Sequence, residues 1–272
     1  MMTYPQIDPV AIALGPLEVH WYGLMYLFGL AGGWWVASRR AATGRYPLTE
    51  REQVDDLIFY CAIGIVVGGR LGYVFFYGMD RFLADPLWLV RVWEGGMAFH
   101  GGLLGVIVAM WAFAKKTAVK PFELLDYIAP IVPIGLGLGR IGNFIGQELW
   151  GRPTDVSWAM VFPADPEQLA RHPSQLYQAG LEGIAMFVIL FWFSAKPRPR
   201  AAVSGLFLIT YGLFRFIVEF FRQPDAHLGL EAFGWMSRGQ ELSLPMIFIG
   251  IAMMMYAYKR NADQLIPKPK AA

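Results

Sequence analysis

Arginines stand inside the long apolar stretches of this chain at positions 70, 140 and 215. Holding an ionisable side chain against hydrocarbon costs a few kcal/mol or more, so such an arginine is expected to face a cavity, a counter-ion or an anionic ligand. Arg140 opens the segment GRIGNFIGQELWG, Gly139 to Gly151, in which a cation is followed by the amide of Asn143, the carboxylate of Glu148 and the indole of Trp150. Arg215 is followed four residues later by Glu219, on the same helix face, so an ion pair is available that still leaves guanidinium donors for phosphate. Arg70 follows Gly68 and Gly69, where binding to an anionic ligand competes with snorkelling to lipid headgroups. His100, in FHGG, can take or give a proton near neutral pH, and its flanking glycines would admit a substrate; a packing role is the competing reading. Tyr22, in HWY, reads from spacing alone as an interfacial anchor. Together these groups suit an arginine-lined intramembrane site, open toward the outer surface, holding an anionic amphiphile such as a phospholipid.

The elements that must position them are membrane helices. Of the 272 residues 56% are hydrophobic and 16% charged, against about 25% charged in soluble domains. Runs near 20–38, 55–77, 96–114, 121–145, 176–194, 203–221 and 242–258 are long enough, or nearly so, to span a bilayer core of roughly 30 Å. The expected fold is therefore all-α: a polytopic bundle of seven transmembrane helices forming one integral domain over 1–272. Every lysine falls in one alternating set of connections, with Arg39, Arg40, Arg45, Arg51, Arg198, Arg200 and Arg260, which places the C-terminus in the cytoplasm and the N-terminus outside. The longer connections on the opposite side, 146–175 and 222–241, are expected to form a small outer head, and the tail over 261–272 to be disordered. No basic n-region precedes the first apolar run, which reads as a retained helix.

Gly64/Gly68, Gly101/Gly105, Gly135/Gly139 and Gly142/Gly146 are each four apart, a spacing that lets helix backbones approach closely in lipid. Pro130 and Pro133 should kink the fourth run and open space beside Arg140. Ser174 is a candidate N-cap for the fifth run, and Cys61, the single cysteine, a buried structural residue. The net charge of +2 and the scattered basic residues exclude a nucleic-acid partner. The histidines lack paired ligand spacing and no phosphate-binding P-loop is present, so neither metal nor cofactor is expected.

Six ordered motifs carry a resemblance: HWYGLMY from His20, GGRLGYVFFY from Gly68, WEGGMAFHGGLLG from Trp93, GRIGNFIGQELWG from Gly139, RHPSQLY from Arg171, and SGLFLITYGLFRFIVEFFRQPD from Ser204. Over nearly its whole length the chain resembles the bacterial prolipoprotein diacylglyceryl transferase family. That resemblance implies a multi-pass inner-membrane protein with seven helices and a periplasmic head. It implies transfer of the diacylglyceryl group of phosphatidylglycerol to the lipobox cysteine thiol of a prolipoprotein signal peptide, forming a thioether and releasing glycerol phosphate. The family's functional positions fall here on Tyr22, His100, Arg140, Asn143, Glu148, Gly151, Arg215 and Glu219. In that reading Arg140 and Arg215 hold the phosphate and stabilise charge on the leaving oxygen, while His100, or alternatively Tyr22, takes the thiol proton. Asn143, Glu148, Gly151, Glu219 and Arg70 complete the substrate-binding set. Two positions depart from the family pattern: Gly146, where Asn is usual, and Gln178, where many relatives have Glu. The alternative from another class is an anionic-phospholipid transporter or flippase, which the lack of an internal repeat disfavours.

Overall fold

The structure, a computed structural model, describes residues 2–15, 17–44, 46–224, 235–260 and 265–266. It is mostly helical. The helices are α1 (Trp21–Ala41), α2 (Arg51–Tyr77), α3 (Met79–Ala84), α4 (Phe99–Thr117), α5 (Pro121–Ile128), α6 (Val132–Ile145), α7 (Ser174–Gln178), α8 (Met186–Ser194), α9 (Ala202–Val218) and α10 (Arg238–Arg260). A π-helical segment, Ala179–Ala185, joins α7 to α8, so that Ser174–Ser194 runs as one continuous helix. All seven apolar runs are thus helical. Among the described residues α2, Ser174–Ser194 and α10 are long and apolar enough to cross a membrane, and the α5–α6 pair, bent by 47°, makes a fourth candidate. The bend falls at the break after Ile128, where Pro130 and Pro133 interrupt the helical hydrogen bonding as expected. At 17 residues α9 is apolar but spans only roughly 25 Å.

The all-α expectation omitted short strands. β1 (Met2–Thr3) pairs parallel with β4 (Met160–Val161), which pairs antiparallel with β5 (Ala170–Arg171). β2 (Val10–Leu14) and β3 (Leu17–His20) form a hairpin, and β6 (Arg198–Pro199) pairs with β7 (Leu265–Ile266). Two-residue strands have no alternation to read, because tertiary pairing alone creates them. Of the tail called disordered, only Leu265–Ile266 is described, as β7; the rest of 261–272 and the residues 225–234 of the second head connection lie outside the described residues.

Two compact units can be distinguished, one built from Met1–Ala37 with Leu125–Pro269 and the other from Ser38–Leu124. In the first, glycine sets the helix spacings. A Cβ on Gly29 of α1 would lie 3.0 Å from the Gly135 Cα of α6, and one on Gly183 of the π segment 2.7 Å from the Gly137 Cα. Gly205 and Gly250 play the same part between α9 and α10, where a Cβ on Gly250 would meet the Gly205 carbonyl oxygen at 2.7 Å. Ala129, Met186, Leu190 and Val203 form the buried core joining α8 and α9, with Leu136 of α6 packed against it. The start of α9 is held from α5: buried Asp126 accepts from the backbone N–H groups of Ala201 (2.7 Å) and Ser204 (2.8 Å) and from Ser204 Oγ (2.5 Å). A carboxylate thus caps a helix N-terminus from a distant part of the chain.

In the second unit α2 and α4 cross through the expected glycines: a Cβ on Gly68 would lie 2.4 Å from the Gly101 carbonyl oxygen, and one on Gly105 2.0 Å from that of Gly64. Cys61 is a half-buried free thiol, not the buried one expected.

The β1–β4–β5 layer packs Tyr4, Phe144, Met160 and Phe162 into a small core, and Tyr4 Oη donates to the Phe144 carbonyl at 2.8 Å. Its polar staple is Asp165, which accepts from Arg171 Nε (2.6 Å) and Nη2 (3.1 Å), both residues being buried. The Arg171 guanidinium holds the Asp165 carboxyl below the usual carboxylate range. A carboxyl whose pKa is lowered on folding stabilises the protein above its unfolded pKa of about 3.9, and that contribution is lost as pH falls through the folded value. Asp165→Asn, which leaves buried Arg171 only the exposed Glu167 carboxylate, is expected to cost about 2 kcal/mol. Thermal unfolding of the detergent-solubilised protein should show a lowered midpoint at pH 7 and a smaller further loss in acid than wild type.

Candidate active site

The site begins with two helix contacts that need glycine. Gly137 against Gly183 brings α6 onto the π segment, so Arg140, three residues after Gly137, meets Glu182, the neighbour of Gly183. Arg140 Nη2 lies 3.4 Å from Glu182 Oε2, with the Glu182 side chain wholly buried. A π segment widens the helix by one residue per turn, a distortion that recurs at functional sites. Glu182 went unnoticed in the sequence although the signal was there: it is the one acidic residue of Ser174–Ser194, subject to the rule that singled out the arginines.

The second contact is α1 against α6. It sets Tyr22 on Gly142, where a Cβ would lie 3.1 Å from the Tyr22 ring. Tyr22 is 43% exposed, its hydroxyl is 3.1 Å from that of Tyr26, and it feels the charges of both Glu148 and Arg140.

Arg215 on α9 forms the expected ion pair with Glu219, at 2.5 Å. Glu219, 1% exposed, also accepts from Ser237 Oγ at 2.5 Å and lies 3.4 Å from Arg222 Nη1. Gly239 closes this carboxylate in, since a Cβ there would lie 2.6 Å from Glu219 Cδ. Arg215 uses Nη2 on Glu219, leaving its buried Nη1 without a hydrogen-bond partner. Arg215 also feels the charges of Glu182 and Arg140, so the two arginine–carboxylate pairs belong to one electrostatic cluster.

After α6 the chain turns sharply. Gln147 and Leu149 have positive φ, at 54° and 57°, a region that non-glycine residues enter at a cost of order 1–3 kcal/mol. Those two residues fold Glu148 back on the helix end. Its backbone N–H donates to the Asn143 carbonyl at 2.9 Å, and its Oε2 accepts from Asn143 Nδ2 at 3.3 Å. Asn143 therefore braces Glu148. Gln147, beside the departing position 146, accepts from the Ala164 N–H at 2.8 Å. Gly151 bridges Arg222, and a Cβ there would stand 2.5 Å from the carbonyl oxygens of both His172 and Phe221. Its lack of a side chain is what lets the segment reach the end of α9. Ser174 does not cap α7: its hydroxyl donates to the Leu149 carbonyl at 2.9 Å. His172, in contact with the Tyr177 hydroxyl at 3.0 Å, is pushed below the usual histidine range by burial.

Arg70 and His100 belong to the second unit. Arg70 is buried and neither snorkels nor keeps its donors free. Its Nε donates to the Leu89 carbonyl (3.0 Å), Nη2 to Trp88 (2.5 Å) and Nη1 to Gly95 and Gly96, with the guanidinium over the Trp88 ring. It holds the connection between α3 and α4. His100 is exposed in the first turn of α4, and its flanking Gly101 is used for packing on α2, where a Cβ would lie 2.3 Å from the Gly68 carbonyl oxygen.

Among the described residues no cluster of three or more His, Cys, Asp or Glu could hold a metal ion. Around Arg140 and Arg215 each guanidinium is balanced by one carboxylate, and Arg215 keeps a buried donor without a partner. The profile of the family described as "Prolipoprotein diacylglyceryl transferase" matches residues 9–256. The chain belongs to this family. A relative from Ectopseudomonas mendocina is 63% identical over 97% of this chain and 99% of its own length. One from Azotobacter vinelandii is 62% identical over 96% and 98%, and one from Pseudomonas aeruginosa 59% identical over 100% of both. All three are named phosphatidylglycerol--prolipoprotein diacylglyceryl transferase.

Glu219 is the anion that Arg215 and Arg222 share. Glu219→Ala would leave Arg215 and Arg222 without this shared anion and is expected to lower stability by about 3 kcal/mol. Gly239→Ala, which drives a methyl into the same carboxylate, should destabilise as well. Unfolding of both variants in detergent checks this; wild-type midpoints for both would contradict the hub geometry.

Proposed function

We propose that this protein transfers the diacylglyceryl group of phosphatidylglycerol to the lipobox cysteine thiol of prolipoproteins, forming a thioether and releasing glycerol phosphate. The observation that carries the reading is the pair of half-buried arginines, each held by a buried carboxylate on one arm, in a chain that belongs to a family whose relatives bear that name. Arg140 and Arg215 bind the phosphodiester through the arms their carboxylates leave over. As sulfur attacks the glyceryl carbon, the C–O bond to phosphate breaks and negative charge gathers on the departing oxygen. Guanidiniums fixed beforehand stabilise that charge without reorganising, and holding the lipid carbon against sulfur supplies much of the remaining acceleration. The thiol must lose its proton to become a nucleophile. His100 is the base we favour and Tyr22 the alternative. Glu148, braced by Asn143, orients the headgroup, and Gly151 keeps that segment seated; Arg70 we assign to support of its own unit.

The same reading makes the seven helical runs transmembrane. The N-terminus and the strand layer over 146–175 lie on the periplasmic side of the inner membrane and the C-terminus in the cytoplasm, as the lysine distribution supports. Both substrates are membrane-anchored, so the site takes them from the lipid phase and needs no cofactor.

Purified protein mixed with phosphatidylglycerol and a lipobox peptide should add one diacylglyceryl unit to the peptide, read by mass spectrometry. Arg140→Lys and Arg215→Lys, which keep charge but lose two-pronged phosphate contact, should each reduce transfer about 100-fold. Near wild-type transfer in both would remove the phosphate clamp, and lipid redistribution with no covalent product would favour a flippase.

A further inference from the structure

Buried groups beside the arginine pairs remain without partners, and their chemistry specifies what is missing. Gln178 and Glu182 are both 0% exposed. Neither Nε2 nor Oε1 of Gln178 has a hydrogen-bond partner, and Glu182 Oε1 has none. The two residues are four apart across the start of the π segment and share a helix face. Glu182 Oε2 lies 3.4 Å from Arg140 Nη2, and Arg215, whose Nη1 is also buried and unpartnered, feels the charges of both. Native interiors pair nearly all such atoms, so several together mark a place completed by something else.

An anion satisfies only half of this set. Phosphate oxygens accept from the guanidiniums, but they repel Glu182 Oε1, which is itself an acceptor. The missing partner must therefore carry an O–H donor close to its negative charge. Gln178, with one donor and one acceptor group open, asks for a group that does both, and a hydroxyl does. We propose that Glu182 and Gln178 form a hydroxyl-reading subsite beside the arginines, which selects a phosphodiester whose headgroup is a polyol. The proposal rests on the function argued above and adds to it the residues that choose the headgroup. An alkyl headgroup would leave all three atoms unmade, and an ammonium headgroup, offering donors only, would leave Gln178 Nε2 unpaired. A site built to hydrogen-bond a substrate hydroxyl rejects the analogue lacking it.

The test compares kcat/KM of the full-length protein for phosphatidylglycerol and for phosphatidylpropanol of identical acyl chains, which keeps the phosphodiester and lacks headgroup hydroxyls. Wild type should prefer phosphatidylglycerol by about tenfold or more, the equivalent of one hydrogen bond to a charged group. In Gln178→Met and in Glu182→Gln the ratio should fall toward one, whatever the absolute rates. A role confined to folding or to bracing Arg140 would slow both lipids alike and keep the ratio. Equal use of the two lipids by wild type, or an unchanged ratio in either variant, overturns the subsite and leaves trapped water as the partner of these atoms. The wild-type ratio stands even if a variant fails to fold. No transfer by wild type from either lipid would instead overturn the function on which the proposal rests.

Discussion

Everything in the site follows from the conflict between a guanidinium and a low-dielectric surrounding. An arginine at that depth needs an anion, yet one that is fully neutralised has nothing left for a ligand. The structure resolves this by giving Arg140 and Arg215 each a carboxylate from a neighbouring or identical helix, on one arm only. Glu182 contributes Oε2 to Arg140 from across a helix contact, while Glu219 takes Arg215 from one turn away and approaches Arg222 as well. The buried arm of Arg215 that remains is a donor already desolvated, the condition under which an electrostatic contact is strongest.

Holding two such pairs together demands backbone approach closer than side chains allow. Gly137 and Gly183 supply it between α6 and the π segment, Gly29 and Gly135 between α1 and α6, and Gly239 where α10 presses on the Glu219 carboxylate. Glycine here is a spacing device more than a conformational one. Positive φ falls instead on Gln147 and Leu149, and that strained turn returns Glu148 to Asn143 at the mouth of α6. The strand layer and the start of α7 then anchor the turn, the one through the Tyr4 hydroxyl on the Phe144 carbonyl and the other through the Ser174 hydroxyl on the Leu149 carbonyl. Sequence-distant segments thus meet on one short motif, which fits its position between a helix and the cap over it.

Much of this was legible in the sequence, and what was not has a physical reason. Helical runs are set by composition, and the Arg215–Glu219 pair and the α2–α4 glycine seam by helical spacing, so all three could be read locally. The bend at Pro130 and Pro133 follows from a missing donor. By contrast the partner of Arg140 lies 42 positions away, and no periodicity links α6 to the π segment that presents Glu182. Arg70 looked like its two counterparts in composition and differs only in what surrounds it, a ring of backbone carbonyls from Trp88 to Gly96. Gly101 beside His100 is spent on the crossing of α4 on α2, a contact whose partner helix local sequence does not show. The β1–β4–β5 layer rests on two-residue pairings that exist only once the chain has closed on itself.

On the proposed function, the arms left over on Arg140 and Arg215 bind a lipid phosphate independently of any later chemistry. Native mass spectrometry of the delipidated protein, titrated with phosphatidylglycerol or with diacylglycerol of the same chains, addresses it without turnover. Wild type is predicted to retain phosphatidylglycerol and release diacylglycerol, while the Arg140→Lys, Arg215→Lys double variant retains the two lipids alike. Undiminished preference for phosphatidylglycerol in that folded double variant would contradict the account.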